Sequence, residues 1–222
     1  MKSAKKQFPV YSIIPLCLMI ILNLIAFTGT KLITDSGFHY KIDLAIDSLI
    51  PFIPAFIIIY IGSYIQWVWG YGLIAAQNKD FCYRIISYEM ISKTICLIIF
   101  LAFPTIMARP EIKGGGIFEY LTNLIYTADT PTNLFPSIHC LESYVIFRAS
   151  FGIKKHTKAL VIFNGVFALL VFASVVCVKQ HLILDIPAAI IVGELGFFIG
   201  KKVKSHRIFE KIDKIVYRKG RI

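Results

Sequence analysis

Six long apolar runs constrain what this chain can fold into. They cover residues 10–29, 49–69, 91–107, 137–153, 158–178 and 182–200. A helix needs about 20 residues to cross the hydrocarbon core of a bilayer, and helix is expected because each segment must satisfy its own backbone polar groups. Only 17% of the residues are charged, whereas a soluble domain has about a quarter. We therefore predict an all-α integral membrane protein, a bundle of six transmembrane helices.

The distribution of basic residues favours one orientation of this bundle. With the N-terminus inside, the inner segments carry eighteen Lys and Arg residues and the outer segments five. Inner segments are normally the basic ones, so both termini are predicted to be cytoplasmic and the membrane to be the plasma (cytoplasmic) membrane. The inner group includes Lys79, Arg84 and Lys93. This topology accounts for most of the net charge of +11, and no nucleic-acid partner is predicted because the basic residues flank apolar runs.

The chain divides into a membrane domain, residues 1–200, and a basic tail, residues 201–222. Apolar residues recur in the tail at helical spacing, which is typical of an amphipathic helix on the anionic inner leaflet. A plain solvated tail is the alternative interpretation. Segment 117–126 is predicted to be a short interfacial helix. Trp67, Trp69 and Tyr71 are predicted to form an aromatic belt at the inner end of the second span.

Three polar features lie far apart in the sequence but at the same outer end of the predicted bundle. Arg109-Pro110 follows the third apolar run, Pro136-Ser137-Ile138-His139 opens the fourth, and His181 and Asp185 lie where the fifth gives way to the sixth. Residues four apart on a helix share a face, so Asp185 can orient His181 as a nucleophile or base. A purely structural pair is the alternative, although ionisable residues near a span are usually functional.

His139 lies in the first turn of the fourth predicted helix, where free backbone N–H groups form an anion site. A phosphate bound there would place His139 near the leaving oxygen as a general acid; an ordinary interfacial histidine is the alternative. Arg109 can grip phosphate oxygens through its planar guanidinium. Lys179 and, more weakly, Lys113 could add positive charge.

These motifs resemble those of the type-2 phosphatidic acid phosphatase (lipid phosphate phosphatase) superfamily. The resemblance rests on Arg109-Pro110, on Pro136-Ser137-x-His139 and on Ser174 followed by His181-x-x-x-Asp185, and it covers roughly residues 100–195. It implies six helices with an outer-face site and a phosphohistidine formed on His181 and oriented by Asp185. His139 would be the general acid, with Arg109 and Ser137 on the phosphate oxygens. No metal or cofactor is then expected.

Three positions depart from the family pattern. Ala102, Ile138 and Val175 stand where the motifs have lysine, glycine and arginine. Lys179 is our hypothesis for the source of the lost charge. The Pro-Ser-x-His and Lys-Gln-His forms are closer to the branch that includes inositol phosphorylceramide and sphingomyelin synthases, which transfer a phospho-headgroup to a lipid alcohol.

Three functions follow from the sequence. The first is a membrane lipid phosphate or pyrophosphate phosphatase at the outer leaflet, and the second is a lipid phosphotransferase with the same covalent step. The third is a non-catalytic membrane protein that keeps a degenerate site. The sequence identifies neither the lipid nor the oligomeric state.

Overall fold

The computed structural model describes residues 9–153 and 158–218, and this part of the chain is helical without a named strand. The basic residues predicted at the inner face that lie outside these ranges are Lys2, Lys5, Lys6, Lys154, Lys155, Lys219 and Arg221. The helices are α1 (Ile13–Leu24), α2 (Thr30–Thr34), α3 (Ala45–Leu49), α4 (Ile57–Gln77), α5 (Lys79–Ala102), α6 (Ile117–Ala128), α7 (Ile138–Ser150), α8 (Lys158–Cys177), α9 (Asp185–Val203) and α10 (Arg207–Arg218). The all-α prediction is confirmed for these residues, and α6 matches the helix predicted over 117–126.

Four helical segments of the described chain are long and apolar enough to cross a membrane. They are Val10–Thr34, Pro54–Gln77, Lys79–Ala102 and Lys158–Cys177. The fourth predicted span is α7, whose 13 residues extend about 20 Å at about 1.5 Å per residue. The sixth is α9, which has 19 residues but contains four charged side chains. Four candidate spans are thus established by length and composition, against the six predicted.

The second apolar run is displaced along the chain relative to its prediction. The helix begins with a 3-10 turn at Pro54 and continues to Gln77, whereas the run was predicted to cross over 49–69. Ile53 precedes this turn in an extended conformation, and its N–H donates to the Cys177 carbonyl at 2.9 Å. The predicted aromatic belt is therefore wrong for Trp67, which lies in the middle of α4.

The third predicted span also has different bounds. α5 begins at Lys79, capped by the Asn78 side chain that accepts from the Phe81 N–H at 2.9 Å, and it ends at Ala102. It therefore contains Lys93, which was counted with the basic residues of the inner segments. Lys93 is instead 1% exposed and ion-paired within the bundle. Glu89, one turn earlier on α5, pairs with Lys93 and compensates its charge, so the helix can continue through the lysine.

α7 lies at the centre of the bundle, against α4, α8 and α9, and α9 packs closely on α5. Gly196 makes the α5–α9 approach possible, since a Cβ there would lie 2.6 Å from the Tyr88 carbonyl oxygen. The backbone N–H of Ser137 reaches the Asp185 carbonyl at 3.4 Å. The first residues of α7 and α9 therefore lie side by side at the same end of the bundle.

The tail predicted from residue 201 begins within α9, which continues to Val203 before Lys204 turns the chain in a left-handed conformation (φ 53°). The following helix, α10, folds back on α5. Phe209 is buried against Tyr83, and Asp213 is ion-paired with Lys79. Further apolar residues of α10 are exposed, namely Ile208, Ile215 and Val216.

Candidate active site

His181 and Asp185 are in direct contact. His181 Nδ1 lies 2.9 Å from Asp185 Oδ2, and the same oxygen accepts the Leu182 backbone N–H at 3.0 Å. The sequence predicted that the two residues share a helical face. They do not, because α9 begins only at Asp185 and His181 lies in the segment before it. Asp185 is fully buried and His181 is 9% exposed. The contact fixes one ring nitrogen of His181 and leaves Nε2 for chemistry.

His139 is the second residue of α7, whose N-cap is Ser137. Its ring is held by aromatic side chains of α4. Tyr60 stacks on it at 4.2 Å between centroids, Trp67 lies at 5.0 Å, and the Tyr64 hydroxyl is 3.1 Å from Nε2. These α4 residues were missed at the sequence level, although their i, i+4 and i+7 spacing places them on one helical face.

The two histidine rings lie close to one another. Their centroids are 6.2 Å apart and the rings are inclined by 55°. A near-attack contact is about 3–3.5 Å and a proton-transfer hydrogen bond about 2.6–3.2 Å. Two imidazoles at this centroid separation can therefore both reach one phosphoryl group.

The Arg109 side chain is 8% exposed, and its partners come from the C-terminal end of α6 and from the loop before α9. Its Nη2 donates to Gln180 Oε1 at 2.6 Å, its Nη1 donates to the Asp129 carbonyl, and its guanidinium lies over the Tyr126 ring at 4.6 Å. Burial lowers the pKa of Arg109 while Asp129 opposes that shift, and the side chain stays charged. Burial also raises the pKa of Tyr126 to about 12.

Two donors in this region are buried without a hydrogen-bond partner. They are Arg109 Nε and Gln180 Nε2. Leaving a buried donor unpaired costs about 1–3 kcal/mol or more for a charged group, so a ligand that accepts hydrogen bonds would stabilise both. Gln180 precedes His181 directly; at the sequence level it was noted only as part of the Lys-Gln-His form and was not selected as a site residue.

The remaining predicted residues lie in different surroundings. Ser137 is fully buried, and its Oγ accepts the Cys140 N–H at 3.3 Å as an N-cap. Lys179 donates to the carbonyls of Asp47 and Ile50 at 2.9 and 2.6 Å, so its charge ties down the loop that carries α3. Lys113 is exposed and lies 3.8 Å from Glu111. Neither lysine contacts Arg109.

A cavity of about 330 Å³ lies beside His181. Its polar wall includes Asp43, Asp47 and Lys179, and Asp47 Oδ1 also accepts the Ile183 N–H at 2.8 Å. Its apolar wall is formed by Leu44, Ile50, Phe52, Met107, Val176 and Leu182. The cavity thus combines an ionic rim with an apolar lining next to the nucleophile candidate.

One group of described residues has ligand atoms close enough for a metal ion. Asp80, His206 and Glu210 offer atoms within 4.8 Å of one another. They lie where α5 begins and α10 folds back, and they share no member with the His181 site. This group therefore has no part in the chemistry considered for the two histidines.

Comparison with protein-family models, with curated proteins and with solved structures found no match to this chain.

Proposed function

We propose that the chain is a membrane lipid phosphate or pyrophosphate phosphatase of the type-2 phosphatidic acid phosphatase kind, which acts through a phosphohistidine. One observation carries this proposal: Asp185 orients His181 from 2.9 Å, and the ring of His139 lies 6.2 Å from that of His181. Such a nucleophile, orienting carboxylate and opposed acid form the minimal set for covalent transfer.

The reaction divides into two balanced steps. In the first, the lone pair of His181 Nε2 attacks phosphorus, the bond from phosphorus to the lipid oxygen breaks, and His139 gives its proton to that oxygen. In the second, His139 takes a proton from water as the water oxygen attacks phosphorus, and the bond from phosphorus to His181 breaks. Asp185 stabilises the positive charge on His181 in both steps.

Arg109 and Gln180 are the proposed phosphate contacts. Arg109 Nε and Gln180 Nε2 are buried donors without a hydrogen-bond partner, and each could donate to a phosphate oxygen. The N–H groups of Ile138 and His139, in the first turn of α7, have no intrahelical acceptor and add further donors, whereas that of Cys140 donates to Ser137 Oγ. Lys179 is not part of this proposal because two loop carbonyls engage its ammonium group.

We further propose six membrane crossings, in which α7 and α9 join the four candidate spans and both termini are cytoplasmic. Without Lys93, the inner segments still carry seventeen basic residues against five outside. A membrane-impermeant amine reagent on intact cells should then label a Lys113-only protein and not a Lys211-only one. The reverse pattern would invert the proposed topology.

The test of function is phosphate release from a panel of lipid phosphates in mixed micelles. We expect at least one substrate to be turned over, and His181→Ala and His139→Ala each to abolish release. His206→Ala is the matched control because that histidine lies at the opposite end of the bundle, and it should leave release unchanged. Equal release by wild type and both site variants would refute the proposal.

A lipid phosphotransferase is the second candidate, favoured by the apolar wall of the cavity beside His181. A second lipid alcohol could lie against this wall and replace water in the second step. Turnover that requires an added lipid alcohol, with no phosphate released, would select this function. A site that neither turns over nor binds vanadate would instead indicate a degenerate protein.

A further inference from the structure

Four polar side chains from three helices meet in the interior of the bundle. They are Tyr71 of α4, Glu89 and Lys93 of α5, and Glu142 of α7. Glu89 is fully buried, and Lys93 is 1% and Glu142 3% exposed. Glu89 and Lys93 are the eleventh and fifteenth residues of the 24-residue α5, so the group lies near the middle of a candidate span. Ionisable groups at such depth are costly and usually functional.

The contacts form a closed network. Lys93 Nζ lies 3.0 Å from Glu89 Oε1 and is ion-paired with Glu142 Oε1. The Tyr71 hydroxyl contacts Glu89 Oε1 on one side and Glu142 Oε2 on the other. Glu89 Oε2 is buried without a partner.

Counting protons shows that this network is incomplete when both acids are ionised. A tyrosine hydroxyl has one hydrogen to donate, yet the Tyr71 oxygen lies against two carboxyl oxygens. The second contact is favourable only when one carboxyl carries a proton and donates it.

Counting charges leads to the same result. Two carboxylates and one ammonium give a net charge of −1, and an uncompensated charge in a low-dielectric interior is costly. Of the other titratable groups on the helices packed around the cluster, Cys96 of α5 adds no positive charge, Asp185 of α9 is hydrogen-bonded to His181, and Glu194 is paired with Arg148. His139 of α7 lies against Tyr60, Tyr64 and Trp67 of α4. Among the described residues, Lys93 is the cation that contacts the two acids.

We propose that Glu89 and Glu142 share one bound proton at neutral pH, which makes this cluster a proton-binding site within the membrane bundle. A cavity of about 440 Å³ between α1 and α4 reaches the cluster, because Lys93, Glu142 and Tyr71 are among its lining residues. Tyr64, the partner of His139, lines the same cavity. The proposal does not depend on phosphatase activity.

Infrared spectroscopy of the full-length protein in lipid nanodiscs at neutral pH tests this directly. The carbonyl stretch of a protonated carboxyl is separate from that of a carboxylate, and exposed acids are ionised at this pH. We expect one buried acid band. It should persist in Asp185→Asn, which removes the other buried acid, and disappear in both Glu89→Gln and Glu142→Gln, where one carboxylate balances Lys93.

Lys93→Met provides a second, opposite measurement. Without the ammonium group, both acids should be neutral and the band should increase about twofold. Glutamine resembles a protonated glutamic acid in shape and hydrogen bonding, so both Gln variants are expected to fold. Absence of the band from the wild-type protein would overturn the proposal without any variant, as would its persistence in both Gln variants.

Discussion

Replacing Asp185 by asparagine isolates the charge of the proposed orienting group from its geometry. Asp185 Oδ2 accepts from two donors, His181 Nδ1 at 2.9 Å and the Leu182 N–H at 3.0 Å. In Asp185→Asn the fixed Leu182 N–H selects the rotamer whose amide oxygen occupies the Oδ2 position. Both hydrogen bonds then survive, the negative charge is lost, and the amide NH2 group takes the place of Oδ1, which has no hydrogen-bond partner in either case.

The expected loss follows from the difference between charged and neutral hydrogen bonds. A bond to a charged group contributes about 1.5–3 kcal/mol and a neutral one about 1 kcal/mol. The difference of roughly 0.5–2 kcal/mol lowers turnover by about 2–30-fold, since about 1.4 kcal/mol is tenfold in rate. This is far below the roughly 10⁴-fold loss in a serine protease, where asparagine stabilises the wrong histidine tautomer.

The assay is the first-turnover rate of phosphate release from the best lipid phosphate of the panel. Asp185→Ala is the matched comparison because it removes both bonds and leaves the Leu182 N–H and His181 Nδ1 unpaired in a buried site. It should therefore be slower than Asp185→Asn by at least tenfold. Equal rates for the two variants would refute the reasoning, as would an asparagine variant as fast as wild type.

Three further predictions use the same preparation. Tyr64→Phe should lower turnover and move its pH profile with little effect on KM, because His139, the proposed general acid, loses its 3.1 Å hydroxyl partner; an unchanged profile would contradict this role. Gln180→Leu should raise KM for the lipid phosphate more than it lowers kcat, since a buried donor proposed to contact phosphate is lost, and an unchanged KM would remove Gln180 from the proposed site. Gly196→Ala should cost about 1–3 kcal/mol of stability by overpacking α5 against α9, measured as a lower Tm beside Gly72→Ala, whose Cβ would meet nothing within 4 Å.

Much of the candidate site could be predicted from spacing and depth along the chain. Asp185 follows His181 by four residues, and the two side chains are hydrogen-bonded. His181 lies in the segment before α9, so the two residues do not share a helical face. His139 was predicted in the first helical turn of its segment and lies there. These predictions depend on local geometry, which a sequence specifies well.

The residues that sequence reasoning missed are brought in by tertiary packing. Tyr64 reaches His139 only because α4 crosses α7, and Gln180 meets Arg109 only because two loops converge. Tyr64 belongs to an aromatic face of α4 and Gln180 to the Lys-Gln-His form, but neither local pattern predicts these contacts. Lys93 did have a distinctive local signal, because Glu89 precedes it by four residues and such pairs stabilise a helix. Hydropathy alone concealed that signal, since charged residues were interpreted as the end of a span.

The short helix α7 links the two polar clusters of the bundle. His139 and Glu142 are three residues apart on it, which is about 4.5 Å along the axis at about 1.5 Å per residue. Glu142 is held by Lys93 of α5 and His139 by Tyr64 of α4, so partners from neighbouring helices anchor the depth and rotation of α7 at two points one turn apart. A helix with buried polar groups cannot face lipid, which agrees with its place between α4, α8 and α9. The separation of the two histidine rings is therefore set by the helix bundle. A substitution at Glu142 should alter the position of His139, one turn away on α7.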